Sequence, residues 1–256
     1  MKGWSVLLVL AAAGVVPARA ADLPPGDCAR PAAATDLSAC DLSRARLSGR
    51  DLRGARFAGA KLENADLREA RLEGADFSRS NAKWANFTGA QLAGADFRDA
   101  DLFHATFDDA DLSDARLSGA NLFGANLINT RAPRADFGRA YLKDILMEGI
   151  DISGGSIKGC YAFRGVLLGA RLLGTDLSGA DLTGAAAESA DFSGARLVGT
   201  KLLGATLRHA VFSDADMAQA DLANADVWNA NFSGARNLPP SVPEALIEPF
   251  VLRERR

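Results

Sequence analysis

Residues 65–80 read ADLREARLEGADFSRS, and an apolar residue returns at every fifth position: Leu67, Leu72, Phe77. Ala65, Ala70 and Ala75 stand two before each. A helix renews its buried face about every 3.6 residues and a strand every 2, so five fits neither. The frame holds without insertion from Leu37 to Phe232, about forty pentads. With the bulky residue as the centre of each pentad, every centre except Ala82, Ala132, Ala162 and Ala187 is Leu, Phe, Ile, Met or Val. The position two before the centre is mostly Ala, with Arg50, Ile145 and Ile150 as the large exceptions. The position just before the centre favours Asp, Asn or Arg.

Over residues 35–236 this resembles the pentapeptide-repeat family, whose pattern is A-(D/N)-L-x-x. The resemblance implies an all-β fold: a right-handed quadrilateral (four-sided) parallel β-helix of about ten coils, a solenoid with four pentads per coil. In that family the centre and the small residue two before it point inward, and the other three point out. The packing logic agrees. A square coil has a narrow bore and holds a column of Leu and Phe only if the neighbouring inward positions are nearly empty. At about 4.8 Å per coil, ten coils make a rod roughly 48 Å long.

If four pentads make a turn, residues twenty apart stack. Arg46 then lies on Asp66, Arg56 on Asp76, Lys61 on Asp41 and Arg71 on Asp51. Arg116, Arg131, Arg171, Arg196, Lys201 and Arg236 likewise find an acid one coil away and never another base. These pairs are exposed, so they set register more than they add stability. The weakest repeats lie at 143–169, where Ile145 and Ile150 replace alanine and Ala162 leaves a centre empty. Here the sequence predicts either a bulged coil or a specialised stretch.

The ends leave the repeat. Residues 1–20 carry Lys2, an apolar run from Trp4 to Val16 and an A-x-A ending at Ala20, which reads as a secretory signal peptide. Its removal takes two of the 29 basic residues and none of the 32 acids, leaving 27 against 32. That mildly acidic balance argues against nucleic-acid binding. No other stretch is apolar enough to span a membrane, so the expectation is an exported protein, periplasmic or secreted, with no membrane span after cleavage. Residues 21–34 read as an N-terminal cap segment, with a disulfide expected between Cys28 and Cys40. Cys160 falls on an inward position and reads as a buried thiol. Residues 237–256 form a C-terminal cap helix or tail, Ser241 and Glu244 resembling a capping box and Ala245, Leu246, Ile247 and Phe250 facing the last coil.

Chemistry-bearing motifs are absent from the sequence. His104 and His209 both sit two after a centre, hence outside and far apart, and no metal or cofactor fingerprint is present. The carboxylates recur at one repeat position, which reads as turn chemistry and solubility. Outward apolar residues are the informative ones. Phe103, Phe123 and Phe163 share one phase of twenty, with Lys143 between the last two and Leu203 two coils on. Tyr141 and Tyr161 flank the same region, and Ile128 and Leu168 share a phase on the next side. The reading is a noncatalytic exported scaffold presenting a rod-like surface to a protein partner or to a second copy. The resemblance also implies an alternative, since some members of the family mimic a DNA duplex and bind gyrase; the export signal and the frequent outward Arg and Lys oppose it. A cell-envelope enzyme or accessory factor is disfavoured because a regular rod offers no cleft.

Overall fold

The structure, a computed structural model, describes residues 23–242. The leader at 1–20 and the expected cap from residue 243 onward lie outside the described residues. Within them, the five backbone N–H groups of each pentad explain the period. In residues 66–70, Asp66 donates to the Ala45 carbonyl one coil back, at 2.9 Å. Leu67 and Glu69 donate one coil forward, to Asn86 and Thr88, at 2.8 and 2.9 Å. Ala70 closes a tight turn onto the Leu67 carbonyl at 3.1 Å. The remaining N–H, that of Arg68, finds the Asp66 carboxylate at 3.3 Å. Residues 176–180 repeat the scheme, with the Ser178 N–H on Asp176 at 2.9 Å. The acid before the centre thus caps the one N–H that no neighbouring backbone carbonyl reaches, so Asp and Asn belong there.

Residues before the centres form isolated parallel bridges at a constant separation of twenty, from Asp36↔Arg56 to Asp216↔Arg236. Four pentads therefore complete one coil, and four stacks of pentads form the sides of the rod. The first side has centres Leu37, Phe57, Phe77 and onward by twenty; the second begins at Leu42, the third at Leu47 and the fourth at Leu52. The bridges are single residues; among the described residues no longer strand forms.

Each side turns the corner two residues past its centre, where the backbone enters the left-handed region at every pentad from Arg44 (φ 60) to Gly234 (φ 72). Gly is favoured there because it meets no Cβ penalty, yet Glu69, Trp84 and His104 also adopt it. The core is the column of centres plus the small residues two before them, nearly all buried; the exceptions, such as Ala45, Arg50, Ala225 and Val227, lie mostly near the two ends. Phenylalanines stack coil on coil: Phe57, Phe77 and Phe97 at 4.7 Å spacing, and Phe192, Phe212 and Phe232 at 4.8 and 4.9 Å. Three buried small positions hold Thr instead of Ala, and their hydroxyls donate to carbonyls inside the bore: Thr130 to Phe107, Thr175 to Ile152 and Thr200 to Leu177, at 2.8–3.0 Å.

The weak repeats at 143–169 do not bulge. Bridges run unbroken through Asn126, Leu146, Val166 and Ala186. Ile145 is fully buried and fits because Gly165 lies beneath it; a Cβ on Gly165 would come within 3.3 Å of the isoleucine methyl. A larger inward residue in one coil is thus matched by a missing side chain in the next.

At the N-terminal end, Pro25 bridges to Asp36, and Gly26 donates to the Asp36 carbonyl at 2.8 Å. Gly26 lies so close over Leu37 that a Cβ would fall 2.5 Å from its methyl, and Leu37 is fully buried beneath. Cys28 and Cys40 are disulfide-bonded, with Cα atoms 5.4 Å apart. Arg50, large at a small position, does not enter the bore; its guanidinium reaches the Pro31 carbonyl at 3.1 Å.

Candidate interaction surface

Three positions in each pentad face out: just before the centre, just after it, and two after it at the corner. On the second side these positions carry a series of rings. Trp84 meets Phe103 edge-on at 5.4 Å. Phe103 stacks on Phe123 at 5.3 Å, Phe123 on Tyr141 at 6.1 Å, Tyr141 on Tyr161 at 5.4 Å, and Tyr161 on Phe163 at 6.0 Å. Trp84 (49% exposed), Tyr141 (41%) and Tyr161 (38%) lie open to solvent. The phenylalanines between them are half-buried by their neighbours.

The expected strip of Phe103, Phe123 and Phe163 is therefore one series with the tyrosines, which complete it rather than flank it. Lys143 does not interrupt it: the ammonium lies 5.4 Å from the Phe123 centroid and 3.9 Å from Asp144. Arg164 holds Asp144 at 3.2 Å. Leu203 is on the same side and exposed, but Thr183 separates it from the rings. Ile128 and Leu168 are half-buried on the third side, with Glu148 between them in their column and the bridged pair Leu146 and Val166 in the column before the centres. Trp84 escaped the sequence reading because it stands two after its centre while its partner Phe103 stands one after. A search for aromatics 18 or 19 apart, as well as 20, finds both Trp84–Phe103 and Phe123–Tyr141.

The basic column reaches mostly backward along the rod: Lys61 to Asp41 at 3.4 Å, Arg71 to Asp51 at 3.6 Å, Arg116 to Asp96 at 2.7 Å and Arg131 to Asp111 at 3.0 Å. Asp66, expected under Arg46, is instead held by Arg68 at 2.7 Å, because an Arg just after a centre reaches the acid two residues earlier without leaving its own turn. Arg53–Asp51 and Arg98–Asp96 repeat this local pairing. The hydrogen bond from Arg53 brings the Asp51 carboxyl down to about 2. Burial raises Asp96, but the hydrogen bonds from Arg98 and the nearby Arg116 bring it below the usual carboxylate range. The third side alone is one-signed in its middle, with Asp108, Asp109, Glu148 and Glu188 and no outward Lys or Arg between Arg68 and Arg208.

Among the described residues, no group of His, Cys, Asp and Glu is placed to hold a metal ion, and no helix is long and apolar enough to cross a membrane. His104 packs its ring on Phe103 at 4.4 Å, and His209 shares a 2.9 Å hydrogen bond with Asn229 beside Trp228. Burial pushes the Cys160 thiol up to about 12, so it stays protonated. Concavities are shallow, such as an open depression of about 470 Å³ on the first side lined by Asp136, Gly138, Arg139 and Lys158.

The family model for pentapeptide repeats matches eight copies, at residues 40–79, 83–119, 120–144, 166–199 and 200–236. The chain belongs to the pentapeptide-repeat family. Residues 145–165, which contain Tyr161 and Phe163, fall between its matches. The solved structure of HetL, a pentapeptide repeat protein involved in heterocyst differentiation regulation in the cyanobacterium Nostoc, is similar at 30% identity. The likeness covers 78% of this chain and 92% of HetL, with a TM-score of 0.50. QnrB1, a plasmid-mediated fluoroquinolone resistance protein, is similar at 22% identity over 73% of this chain and 88% of its own, with a TM-score of 0.49. A thylakoid lumen pentapeptide repeat protein of Arabidopsis thaliana is 34% identical over 44% of this chain and 71% of its own, at a TM-score of 0.29. No curated protein matches the sequence.

Proposed function

We propose that this chain is a noncatalytic scaffold, exported to the periplasm or beyond, whose right-handed four-sided β-helix presents its second side to a protein. The observation that carries the reading is the unbroken ring series from Trp84 to Phe163 on one outward face. Nothing in the pentad requires a ring there; the first and fourth sides place mostly Ser, Ala or Gly just after their centres. Exposed, contiguous apolar area of this kind marks contact surfaces in soluble proteins. Duplex mimicry toward a topoisomerase asks for negative charge around the rod, whereas here Arg and Asp interleave on the first, second and fourth sides.

Site-specific photo-crosslinking in cells tests the surface. A reactive residue in place of Phe123 is expected to give a discrete protein adduct, and one in place of Ala93 on the fourth side is not. Equal labelling at both, or none at position 123, would refute the assignment. Fractionation with N-terminal sequencing tests export: a mature chain starting at Ala21 supports it, and an intact Met1 in the cytoplasm overturns it.

A further inference from the structure

We infer that the second side pairs with a second copy of this chain, the two rods antiparallel about a two-fold axis at Phe123. The inference rests on the reading of this side as a contact surface and names its occupant. The rings stack face on face, so their faces are already covered and they offer edges and hydroxyls to solvent. A flat ligand such as a sugar would need an open ring face. The side also carries both signs of charge in balance, which neither a basic nor an acidic partner would match.

A two-fold axis lying across the rods, in the interface, sets each outward column against itself in reverse order. With the axis at Phe123, that ring meets its own copy. Phe103 lies opposite Lys143 of the second copy, and Lys83 opposite its Phe163, so no two like charges meet in this column. In the column before the centres, Tyr141 meets Asp101 and Tyr161 meets Asn81, which gives both phenols an acceptor. At the corner, His104 meets Asp144 and Trp84 meets Arg164.

The outer contacts are the most specific. Lys61 and Asp41 form an exposed pair at 3.4 Å, and Lys201 and Asp181 another at 3.8 Å. In the dimer these meet head to tail, Lys61 facing Asp181 and Asp41 facing Lys201, and the two-fold repeats the ring of four charges at the other end. Sliding one coil toward the C-terminus sets Lys61 on Lys201, Asp41 on Asp221 and His104 on Arg164. Sliding one coil the other way sets Lys83 on Lys143 and Asp41 on Asp181. A slide of three coils in either direction also avoids like charges, but takes Lys61 and Asp41 away from Asp181 and Lys201.

Light scattering on the full chain, expressed with its own N-terminal segment, is expected to give a dimer at micromolar concentration. Asp41→Lys with Lys61→Asp keeps the ion pair within the rod but reverses it, placing like charges across the interface. It should weaken dimerisation at least about tenfold. Adding Asp181→Lys with Lys201→Asp to the same chain restores every opposition and should return the wild-type affinity, a rescue that a misfolded variant would not show. A dimer unmoved by the first swap, or not rescued by the second, overturns the register. A wild-type monomer overturns self-pairing and leaves the second side to another protein, which the crosslink at position 123 reports. A dimer that survives Phe103, Phe123 and Phe163→Ser overturns this inference, and the crosslink at position 123 then decides separately whether the contact surface beneath it stands.

Discussion

Phe97→Ala measures how far the core's ring contacts hold the rod together. Phe97 is fully buried, stacks on Phe77 at 4.7 Å, and meets Phe87 and Phe107 edge-on at 5.6 Å each. Truncating a buried Phe to Ala costs about 3–5 kcal/mol from lost transfer energy and the cavity left behind. Phe57, equally buried on the same side, stacks on Phe77 at 4.7 Å and has no edge-on ring partner among the described residues. Aromatic pairs add about 0.5–1.5 kcal/mol beyond their buried area. Phe97→Ala should therefore cost about 1–3 kcal/mol more than Phe57→Ala, the difference isolating two edge contacts. Urea unfolding of both variants reads the difference, provided the slope with denaturant is unchanged. Hydrogen exchange should rise in the coils bearing Phe77 and Leu117 before it rises at the ends, because each coil contacts only its neighbours. A Phe57 variant as costly as the Phe97 variant would refute the claim that ring-on-ring packing stabilises the middle of the rod.

Removing the disulfide by Cys28→Ser with Cys40→Ser should cost about 3 kcal/mol for a loop of this length, with exchange protection lost first near Asp36 and Arg56. Gly94→Ala, at φ 68 with open space beyond the would-be Cβ, should lower stability by roughly 1 kcal/mol through backbone strain alone, and Gly94→Asn by less; equal melting temperatures for all three chains would count against it. Thr175→Val deletes a buried 3.0 Å hydrogen bond to the Ile152 carbonyl and should cost about 1 kcal/mol in urea unfolding. Asp36, Asp51, Asp66 and Asp96 all titrate lower in the folded rod than the usual 3.8, so the stability they contribute is complete above that value and lost as pH falls toward 2. The urea midpoint should hold between pH 5 and 8 and drop below about 4; a midpoint that rises on acidification would contradict the assignment.

The architecture was legible because one frame of five persists for two hundred residues and resembles the pentapeptide repeat, which implies four pentads per coil; the bridges between residues twenty apart bear that count out. The role of the acid before the centre was legible only as turn chemistry; its bond to the following N–H, as in Asp176 to Ser178, needs coordinates. The left-handed corner was hidden because Glu69, Trp84 and His104 sit there beside the expected Gly, so composition at that position is mixed. The Phe strip was readable from its phase of twenty. Its continuation through Tyr141 and Tyr161 was not, because rings are long enough to step between columns, and sequence spacing alone ranks same-column neighbours first. The smooth passage through 143–169 was equally hidden, since the fit of Ile145 over Gly165 depends on which inward residues face each other across coils.

The same economy explains why the surface carries the information. In each pentad the fold constrains the position two before the centre by size, the one before it by the orphan N–H, and the centre by volume. The corner is restricted to backbones that tolerate positive φ. Only the residue just after the centre is free of all four demands, and this is where Phe103, Phe123, Lys143 and Phe163 stand. On the second side the restricted positions join them: Trp84 accepts a left-handed backbone (φ 53) that disfavours a bulky side chain, and Tyr141 and Tyr161 occupy the place where Asp would cap the turn. Elsewhere the cap is also given up, as at Leu146 and Val166 on the third side, but only on the second side are the substitutes rings stacked coil on coil. On the reading proposed above, the rings are what the second side presents, and the rest of the repeat holds them in line.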